Sequence, residues 1–495
     1  MTKNKILLAI LILASILRLY KLDKYPVSLS WDEVAIGYNA YSIAQTGKDE
    51  YGQKFPLLSK SFNDYKLPGY IYLDSIFIKL FGLSIFTVRL PSAISGILAV
   101  YLIYILTKKI LVDAKFQPTV PVISAFLLAI NPWHLQISRA AFETNAALTL
   151  ILAGFTMLFY SLKARSDSSF GRLGSILALP ALALSIYFYY SPRLFVPLFL
   201  LIIFVFFKKA ILQNLKYYLI SSALAILVAI PLIFQILTPI GAKRVSEVSI
   251  FAEQSLITDY VEASSKSQNY ASKLFLNRRI PITFEAFHNY FSHFSFGFSF
   301  FGDDPNPRHK SAFHGNFYLF EIATILIGIW IVLKSVDKRI KYLILAWLLL
   351  APVPAAFTKE TPHGLRALLM LPPLVILSAL GFAKLWQYSK IRMIYILIIA
   401  VFFINYLYSY YLIYPIKSST AWAFGYQQLF SKVKELDSNF DRVIITGNYW
   451  KPYIFYLFYN QIDPNLYQSN PDQASIGKYR FGIAIWDTFG KDFDD

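Results

Sequence analysis

The sequence contains no cysteine, and charged residues make up only 15% of its 495 positions. The lack of cysteine excludes disulfide bonds and thiolate metal ligands, although it identifies no compartment. The scarcity of charge does not fit a water-soluble domain, in which about a quarter of the residues are charged. No phosphate-binding loop, dinucleotide fingerprint or Ser-His-Asp order is present either, so pumps driven by nucleotides and hydrolases have no local support.

Hydrophobic residues instead make up 56% of the chain. They form apolar runs close to the roughly 20 residues that a helix needs to cross a bilayer. The runs predict an all-α polytopic membrane protein with about eleven transmembrane helices. These predicted spans cover residues 5–20, 87–107, 119–132, 143–162, 173–190, 193–208, 215–237, 317–334, 341–357, 365–384 and 391–414.

The net charge of +18 is distributed unevenly along the chain. Lysine and arginine cluster in alternate connections, which is the positive-inside pattern of a membrane protein and gives no reason to expect a nucleic acid partner. We therefore expect a multi-pass protein of the cytoplasmic membrane with its N-terminus inside and its C-terminus outside. Arg18 and Lys21 follow the first apolar run where a signal peptide would have its cleavage site, so we expect that run to be retained.

The predicted outer segments carry most of the unusual polar residues. The first outer loop, 21–86, contains helical patterns at 34–46 and 70–82, which suggest helices lying along the outer leaflet. A large outer loop covers 238–316. Residues 1–414 are predicted to form the transmembrane catalytic domain, and 415–495 a small α/β domain outside the membrane.

Asp32 and Glu33 lie close to the predicted hydrocarbon boundary, where two adjacent carboxylates are costly unless they are solvated, paired or bound to a metal. A glycosyl transfer needs a carboxylate as general base to take the proton of the attacking acceptor, and Asp32 is our candidate. The alternative is that the pair caps a following helix, since Asp before Val34 suits a helix N-terminus.

Glu143 is a second catalytic candidate, at the outer mouth of the fourth predicted span. With Arg139 one turn before it, this carboxylate could fix an acceptor, a cation or the base itself. An Arg139–Glu143 ion pair that merely starts the helix is a slightly favoured alternative.

An outer site for a lipid-linked donor also needs cations that hold its phosphate. The candidates, each of which could also be an interfacial anchor, are Lys66, Arg193, Arg244 and Arg366. Further polar residues predicted to bind substrate are Asp64, His134, Arg139, His309 and His363.

The segment 302–309 is a dense polar cluster. Asp303, Asp304 and His309 could bind a divalent cation, but the spacing fits no strict metal pattern. A Pro-rich turn that closes over the site is the favoured alternative, so no cofactor is predicted with certainty.

The order of these motifs resembles the GT-C glycosyltransferases of the protein O-mannosyltransferase and lipid A aminoarabinose transferase type. The motifs that carry the resemblance are Trp31-Asp32-Glu33, Asp64 to Pro68, Phe86 to Pro91 with Arg89, Pro132 to Glu143, Pro305 to His309, and Glu360 to Arg366. The chain departs from the pattern at Glu143, where relatives often have Asp, and it lacks the Trp-Trp-Asp signature of oligosaccharyltransferases.

The resemblance implies transfer of one sugar, with inversion, from a polyprenyl phosphate to a protein, lipid or glycan acceptor outside the cytoplasm. Asp32 would then act as the base or assist it. A transporter or flippase for lipid-linked sugars is the alternative, and it predicts carboxylates near the membrane midplane. A structural or sensing protein would leave the outer polar residues scattered.

Overall fold

The computed structural model describes residues 3–62, 64–111, 118–163, 169–239, 241, 248–252, 258, 261–263, 265–266, 277, 279–335, 337–447 and 449–482. The α-helices are α1 (Lys3–Leu19), α2 (Trp31–Thr46), α3 (Pro68–Phe81), α4 (Ile85–Ile110), α5 (Val120–Ile130), α6 (Pro132–Ser138), α7 (Glu143–Lys163), α8 (Ser169–Leu184), α9 (Pro192–Gln213), α10 (Leu215–Ile236), α11 (Arg279–Ser292), α12 (Glu321–Ser335), α13 (Lys338–Leu350), α14 (Val353–Ala356), α15 (Leu371–Leu385), α16 (Ser389–Tyr408), α17 (Tyr414–Lys417), α18 (Tyr426–Leu436), α19 (Pro452–Tyr459) and α20 (Pro464–Ser469). The strands are β1 (Ser59–Ser61), β2 (Asp64–Lys66), β3 (Val443–Thr446), β4 (Ser475–Ile476) and β5 (Tyr479–Gly482).

The predicted polytopic membrane fold is confirmed, since every predicted span contains a helix. Within the described ranges, seven helical segments are long and apolar enough to cross a membrane, and an eighth is added if α5 and α6 count as one bent span. The first predicted span, α1, has 17 residues and falls just short of that length. The number eleven therefore stays a prediction.

The junction between α5 and α6 turns the chain by 57°. Pro132 has no N–H to continue the helix, and the Asn131 side chain accepts a hydrogen bond from the N–H of His134, so a new helix begins at this point. The short α6 then carries the chain to residues 139–142, which precede Glu143 at the start of α7. The sequence at this bend thus determines where Glu143 lies.

The basic connections and the polar loops lie at opposite ends of the helices. Lys108 and Lys109 are in the last turn of α4, and Lys163 is in the last turn of α7. The other ends of these two helices, at Ile85 and Glu143, adjoin the first outer loop and the 139–142 loop. This placement agrees with the predicted orientation, which itself stays a prediction.

The C-terminal residues form a small α/β unit that packs on the first outer loop. Strand β5 lies between β3, to which it is parallel, and β4, to which it is antiparallel. Buried residues of α19 share one hydrophobic core with α2. A Cβ added at Gly37 of α2 would lie 2.8 Å from Cε2 of Phe458 and 2.6 Å from Cγ2 of Val88, so a small residue is needed at this crossing. The predicted boundary at 415 stays a prediction.

Candidate active site

The first turn of α2 holds the Asp32-Glu33 pair in a fixed position. The Ser30 hydroxyl accepts a hydrogen bond from the N–H of Glu33, and the Glu33 carboxylate accepts one from the N–H of Ser30 at 2.9 Å. This reciprocal capping box is a sequence-encoded helix start, Ser-x-x-Glu. The helix-cap interpretation is therefore correct for Glu33, and it leaves Asp32 free to point elsewhere.

Glu33 is buried and joins three segments. Its Oε1 lies 2.9 Å from Nε of Arg89, and Arg89 is also buried. The same Oε1 of Glu33 accepts a hydrogen bond from the N–H of Ala141. The Arg89 guanidinium in turn donates to the carbonyls of Leu22 and Pro26. Glu33 thus links α2, α4 and the loop before Glu143, which is a positioning role.

Asp32 forms ion pairs with two cations. Its Oδ1 lies 2.6 Å from Nζ of Lys66, and its Oδ2 lies 3.1 Å from Nη1 of Arg308. The Asp32 side chain is 36% exposed, whereas Lys66 is buried. Burial alone would raise the pKa of Asp32, but the charges of Lys66 and Arg308 hold it well below its usual value. Asp32 is therefore a carboxylate at neutral pH.

Lys66 comes from the short hairpin of β1 and β2, in which it pairs with Ser59. Burial would lower the pKa of Lys66, but the carboxylates of Asp32, Asp64 and Glu143 keep it above its usual value. Lys66 is therefore an ammonium ion set among three acidic residues.

A cavity of about 440 Å³ opens beside these ion pairs. Asp32, Glu143 and Arg366 line it together, although they come from three separate segments of the chain. The other charged or imidazole-bearing residues of its wall are Glu33, Lys66, Arg308, His309, Glu360 and His363. Most of the polar residues predicted for the outer site therefore surround this one cavity.

Two histidines and one aspartate form a buried cluster at the wall of this cavity. Within the described part of the chain, Asp304, His309 and His363 are the group whose potential metal-ligand atoms all lie within 4.8 Å of one another. Nδ1 of His309 lies 3.1 Å from Oδ2 of Asp304. Burial lowers the pKa of His363 well below its usual value, and the charge of His309 adds to this effect. These three residues could hold one divalent cation.

Of the predicted phosphate-binding cations, Lys66 and Arg366 line the cavity and Arg193 does not. Arg366 lines the cavity and donates from Nη1 to the Thr358 hydroxyl at 2.9 Å. Arg193 is absent from the cavity wall, and its guanidinium carbon lies 4.4 Å from the centre of the Tyr190 ring. Arg244 lies outside the described residues.

Arg139 and His134, both predicted to bind substrate, lie away from the cavity in the buried junction with α1. Nη1 and Nη2 of Arg139 donate to the carbonyls of Leu17 and Tyr20, at 2.6 and 2.8 Å. His134 is buried, and its Nδ1 lies 2.8 Å from Nη2 of Arg18. Arg139 thus satisfies carbonyls at the end of α1, and His134 contacts the Arg18 side chain in the last turn of that helix, so both placements are structural. Asp64 is outside the cavity wall but acts on Lys66 through its charge.

Known proteins provide an independent comparison for this arrangement. The profile of the dolichyl-phosphate-mannose-protein mannosyltransferases matches residues 66–234. ArnT from Cupriavidus metallidurans in the apo state has a TM-score of 0.53 at 12% identity, over 94% of this chain and 76% of that protein. The same ArnT bound to undecaprenyl phosphate also has a TM-score of 0.53, at 11% identity, over 94% and 77%.

An oligosaccharyltransferase from Archaeoglobus fulgidus, tethered with an acceptor peptide, has a TM-score of 0.56 at 14% identity. That match covers 97% of this chain and 64% of the other. The chain has the GT-C fold. No curated protein matches its sequence. The predicted resemblance and the predicted GT-C architecture are both confirmed at the level of the fold.

Two residues that complete the ion pairs of this site, Arg308 and Arg89, have no role assigned to them from the sequence. Both lie inside motifs of the resemblance, but nothing in the local sequence distinguishes Arg89 from the other cations of the chain. The ion pair of Arg308 joins positions 276 residues apart in the sequence, and that of Arg89 joins positions 56 apart. A cation next to His309 in a Pro-flanked turn is the only local signal for Arg308.

Proposed function

We propose that this chain is a membrane glycosyltransferase that moves a single sugar, with inversion, from a polyprenyl-phosphate donor to an acceptor outside the cytoplasm. The observation that carries the proposal is that Asp32, Glu143, Lys66, Arg308 and Arg366 surround one cavity. A carboxylate base and several cations in one space are what a transfer from a phosphate leaving group requires.

Lys66 and Arg308 are the cations best placed for the donor phosphate. In the described structure both form ion pairs with the single carboxylate of Asp32. An incoming phosphate would compete with Asp32 for them, because charge-assisted hydrogen bonds to phosphate are strong and often bidentate with arginine. Once the phosphate takes over these contacts, the pKa of Asp32 rises and its carboxylate becomes a better base.

The remaining residues have supporting roles in this proposal. Glu143 positions the acceptor or holds a cation. Arg366 adds positive charge near the donor phosphate. Glu33 keeps the first turn of α2 in place. The charge of Asp64 raises the pKa of Lys66 and so favours its ammonium form. With the N-terminus inside, as the basic connections suggest, the cavity opens outside the cytoplasm at the membrane surface.

The decisive variant is Asp32→Asn in purified protein that receives a polyprenyl-phosphate sugar and acceptor-containing membranes. Loss of a general base lowers the rate by about 10²–10⁴-fold. Size-exclusion chromatography in detergent would show that the variant is folded. If folded Asp32→Asn protein kept the full transfer rate, the assignment of Asp32 as the base would be wrong.

A further inference from the structure

A second cavity, of about 580 Å³, lies among the membrane-spanning helices. Residues of α1, α5, α15 and α16 line this apolar cleft, and among the described residues of its wall Lys3 alone is charged. Close packing leaves few gaps of this size in a protein interior. Next to a bilayer, such a dry space is filled by hydrocarbon, since lipid tails are as apolar as the side chains of the wall.

The apolar cleft has the depth of one leaflet. Along α1 its wall extends from Lys3 to Leu13, which is about 15 Å of helix and half of the ~30 Å hydrocarbon core. Along α5 the wall reaches Ile130, the last residue before the bend at Asn131. An acyl chain that enters from one membrane surface therefore matches the length of the cleft.

Two of the four helices that line the cleft also face the bilayer. In the span Arg392–Lys417, which contains most of α16, 22% of the apolar window is buried, whereas 83% is buried in Leu368–Leu385, which contains α15. On α1, the exposed side chains of Leu8 and Ile12 alternate with Ile6 and Ile10 of the cleft wall. A lipid chain can thus reach the cleft from the side.

Cations gather at the end of the cleft where the basic connections lie. Lys3 lines this end, and the guanidinium carbon of Arg392 lies 5.9 Å from the centre of the Trp386 ring, which lines it too. The described residues 3–5, 118–119 and 384–392 include five lysines or arginines and no Asp or Glu. Basic clusters of this kind at a membrane surface attract anionic headgroups. Charge and apolar shape therefore favour the same ligand.

We propose that the apolar cleft binds one anionic phospholipid from the leaflet at the basic end of the helices. An acyl chain lies beside α1 and α16, and the phosphate lies near Lys3 and Arg392. The predicted orientation makes this the cytoplasmic leaflet. The lipid braces α16 against α1 and α5 at the end of the helices away from the candidate active site, so its binding does not depend on the proposed transfer reaction.

The test is native mass spectrometry of the full-length protein, purified in detergent and titrated with dioleoyl phosphatidylglycerol or dioleoyl phosphatidylcholine. The two lipids have the same chains and differ in the net charge of the headgroup. We expect one phosphatidylglycerol to stay bound per chain, and phosphatidylcholine to bind at least about fivefold more weakly.

Lys3→Gln and Arg392→Gln should each weaken phosphatidylglycerol binding by about fivefold, because each removes one cation at the headgroup. Lys334→Gln is the matched control and should bind like the wild type. Lys334 is in the last turn of α12 with its Nζ 5.6 Å from the centre of the Trp330 ring, but it is not part of the cleft wall.

A second pair of variants tests the cleft itself. Ala400→Trp places a large side chain in the cleft and should abolish binding. Val401→Trp, at the next position, should bind like the wild type, because Val401 is 56% exposed and outside the cleft wall. Size-exclusion chromatography would show that both are folded. Phosphatidylglycerol should raise the thermal midpoint of Val401→Trp but not of Ala400→Trp.

Three results would overturn the proposal. Equal retention of both lipids by the wild type would exclude recognition of the headgroup charge. Equal retention of phosphatidylglycerol by Ala400→Trp and Val401→Trp would mean that the lipid binds elsewhere. A dimer that Ala400→Trp abolishes would assign the cleft to a second copy of the chain. Because no sugar donor is used, a failed transfer assay beside normal lipid binding would count against the proposed function alone.

Discussion

The first outer loop contains the dipeptide Asp-Glu twice, with opposite surroundings. Asp32 pairs with Lys66 and Arg308, and Glu33 pairs with Arg89. Seventeen positions on, Asp49 and Glu50 are fully buried. Within the described part of the chain, one carboxylate oxygen of each has no hydrogen-bond partner, and Oε1 of Glu50 accepts from the Tyr453 hydroxyl at 3.3 Å.

The pKa values of Asp32 and Glu50 move in opposite directions. Cations hold the pKa of Asp32 below its usual value despite burial. Burial raises the pKa of Glu50 well above its usual value, and the neighbouring charge of Asp49 raises it further. Asp32 thus faces a cavity as a carboxylate, while burial favours the neutral form of Glu50, which packs against the C-terminal unit. Only distant partners distinguish two identical dipeptides.

The largest effect on folding should come from Glu33→Ala. It leaves the buried Arg89 charge without its carboxylate, and breaking a buried ion pair costs about 3–5 kcal/mol. The measurement is thermal unfolding in detergent by intrinsic fluorescence. Asp32→Asn is the matched neighbour and should destabilise the protein less, since Asp32 is partly exposed and Lys66 keeps the charges of Asp64 and Glu143 nearby. Equal midpoints for Glu33→Ala and the wild type would contradict a positioning role for Glu33.

A second prediction separates cations of the cavity from cations outside it. Arg308→Met should lower the transfer rate by about ten- to a hundredfold, since a hydrogen bond to a charged group contributes about 1.5–3 kcal/mol. The loss should appear mainly as a higher KM for the donor. Arg193→Met should have a smaller effect, because that guanidinium stacks on Tyr190 outside the cavity. Kinetics at varied donor concentration would measure both. Equal losses of transfer in the two variants would mean that lining this cavity does not decide whether an arginine binds the donor.

A third prediction concerns pH. Lys66 lowers the pKa of Asp32, so Lys66→Met should raise that pKa and move the acid limb of the transfer rate toward higher pH. A rate profile of kcat/KM for both proteins measures the shift. Arg366→Met serves as the comparison, because Arg366 is not among the groups that lower the pKa of Asp32. If the acid limb of the Lys66→Met profile stays in place, that limb reports the ionisation of a group other than Asp32.

The fold could be predicted from the sequence because its signals are local. Apolar runs and alternating basic connections are read one segment at a time, and every predicted span contains a helix. The number of spans could not be fixed in this way, since short helices such as α1, with 17 residues, lie at the limit of the length criterion.

The candidate site was only partly predictable because its partners are distant in the sequence. Unusual charge near an apolar boundary indicates Asp32 and Glu143, and the need for a phosphate-binding cation indicates Lys66; all three line the cavity. Arg139 looked the same in sequence, but its guanidinium donates to carbonyls at the end of α1. Arg308 looked ordinary, yet it is one of the two cations that hold Asp32.

The smallest expected effect returns to the second dipeptide. The folded-state pKa of Glu50 is raised, so its contribution to stability is present below the ordinary carboxyl range and is lost as pH rises toward the folded-state value. Glu50→Gln removes that loss and should stabilise the protein at neutral pH by about 0.5–2 kcal/mol, the usual range for one stabilising change. The gain should disappear when unfolding is measured near pH 4, whereas Glu435→Gln on an exposed surface should show no gain at either pH. A Glu50→Gln variant less stable than the wild type at neutral pH would mean that the carboxylate is ionised and held by a cation, as Asp32 is.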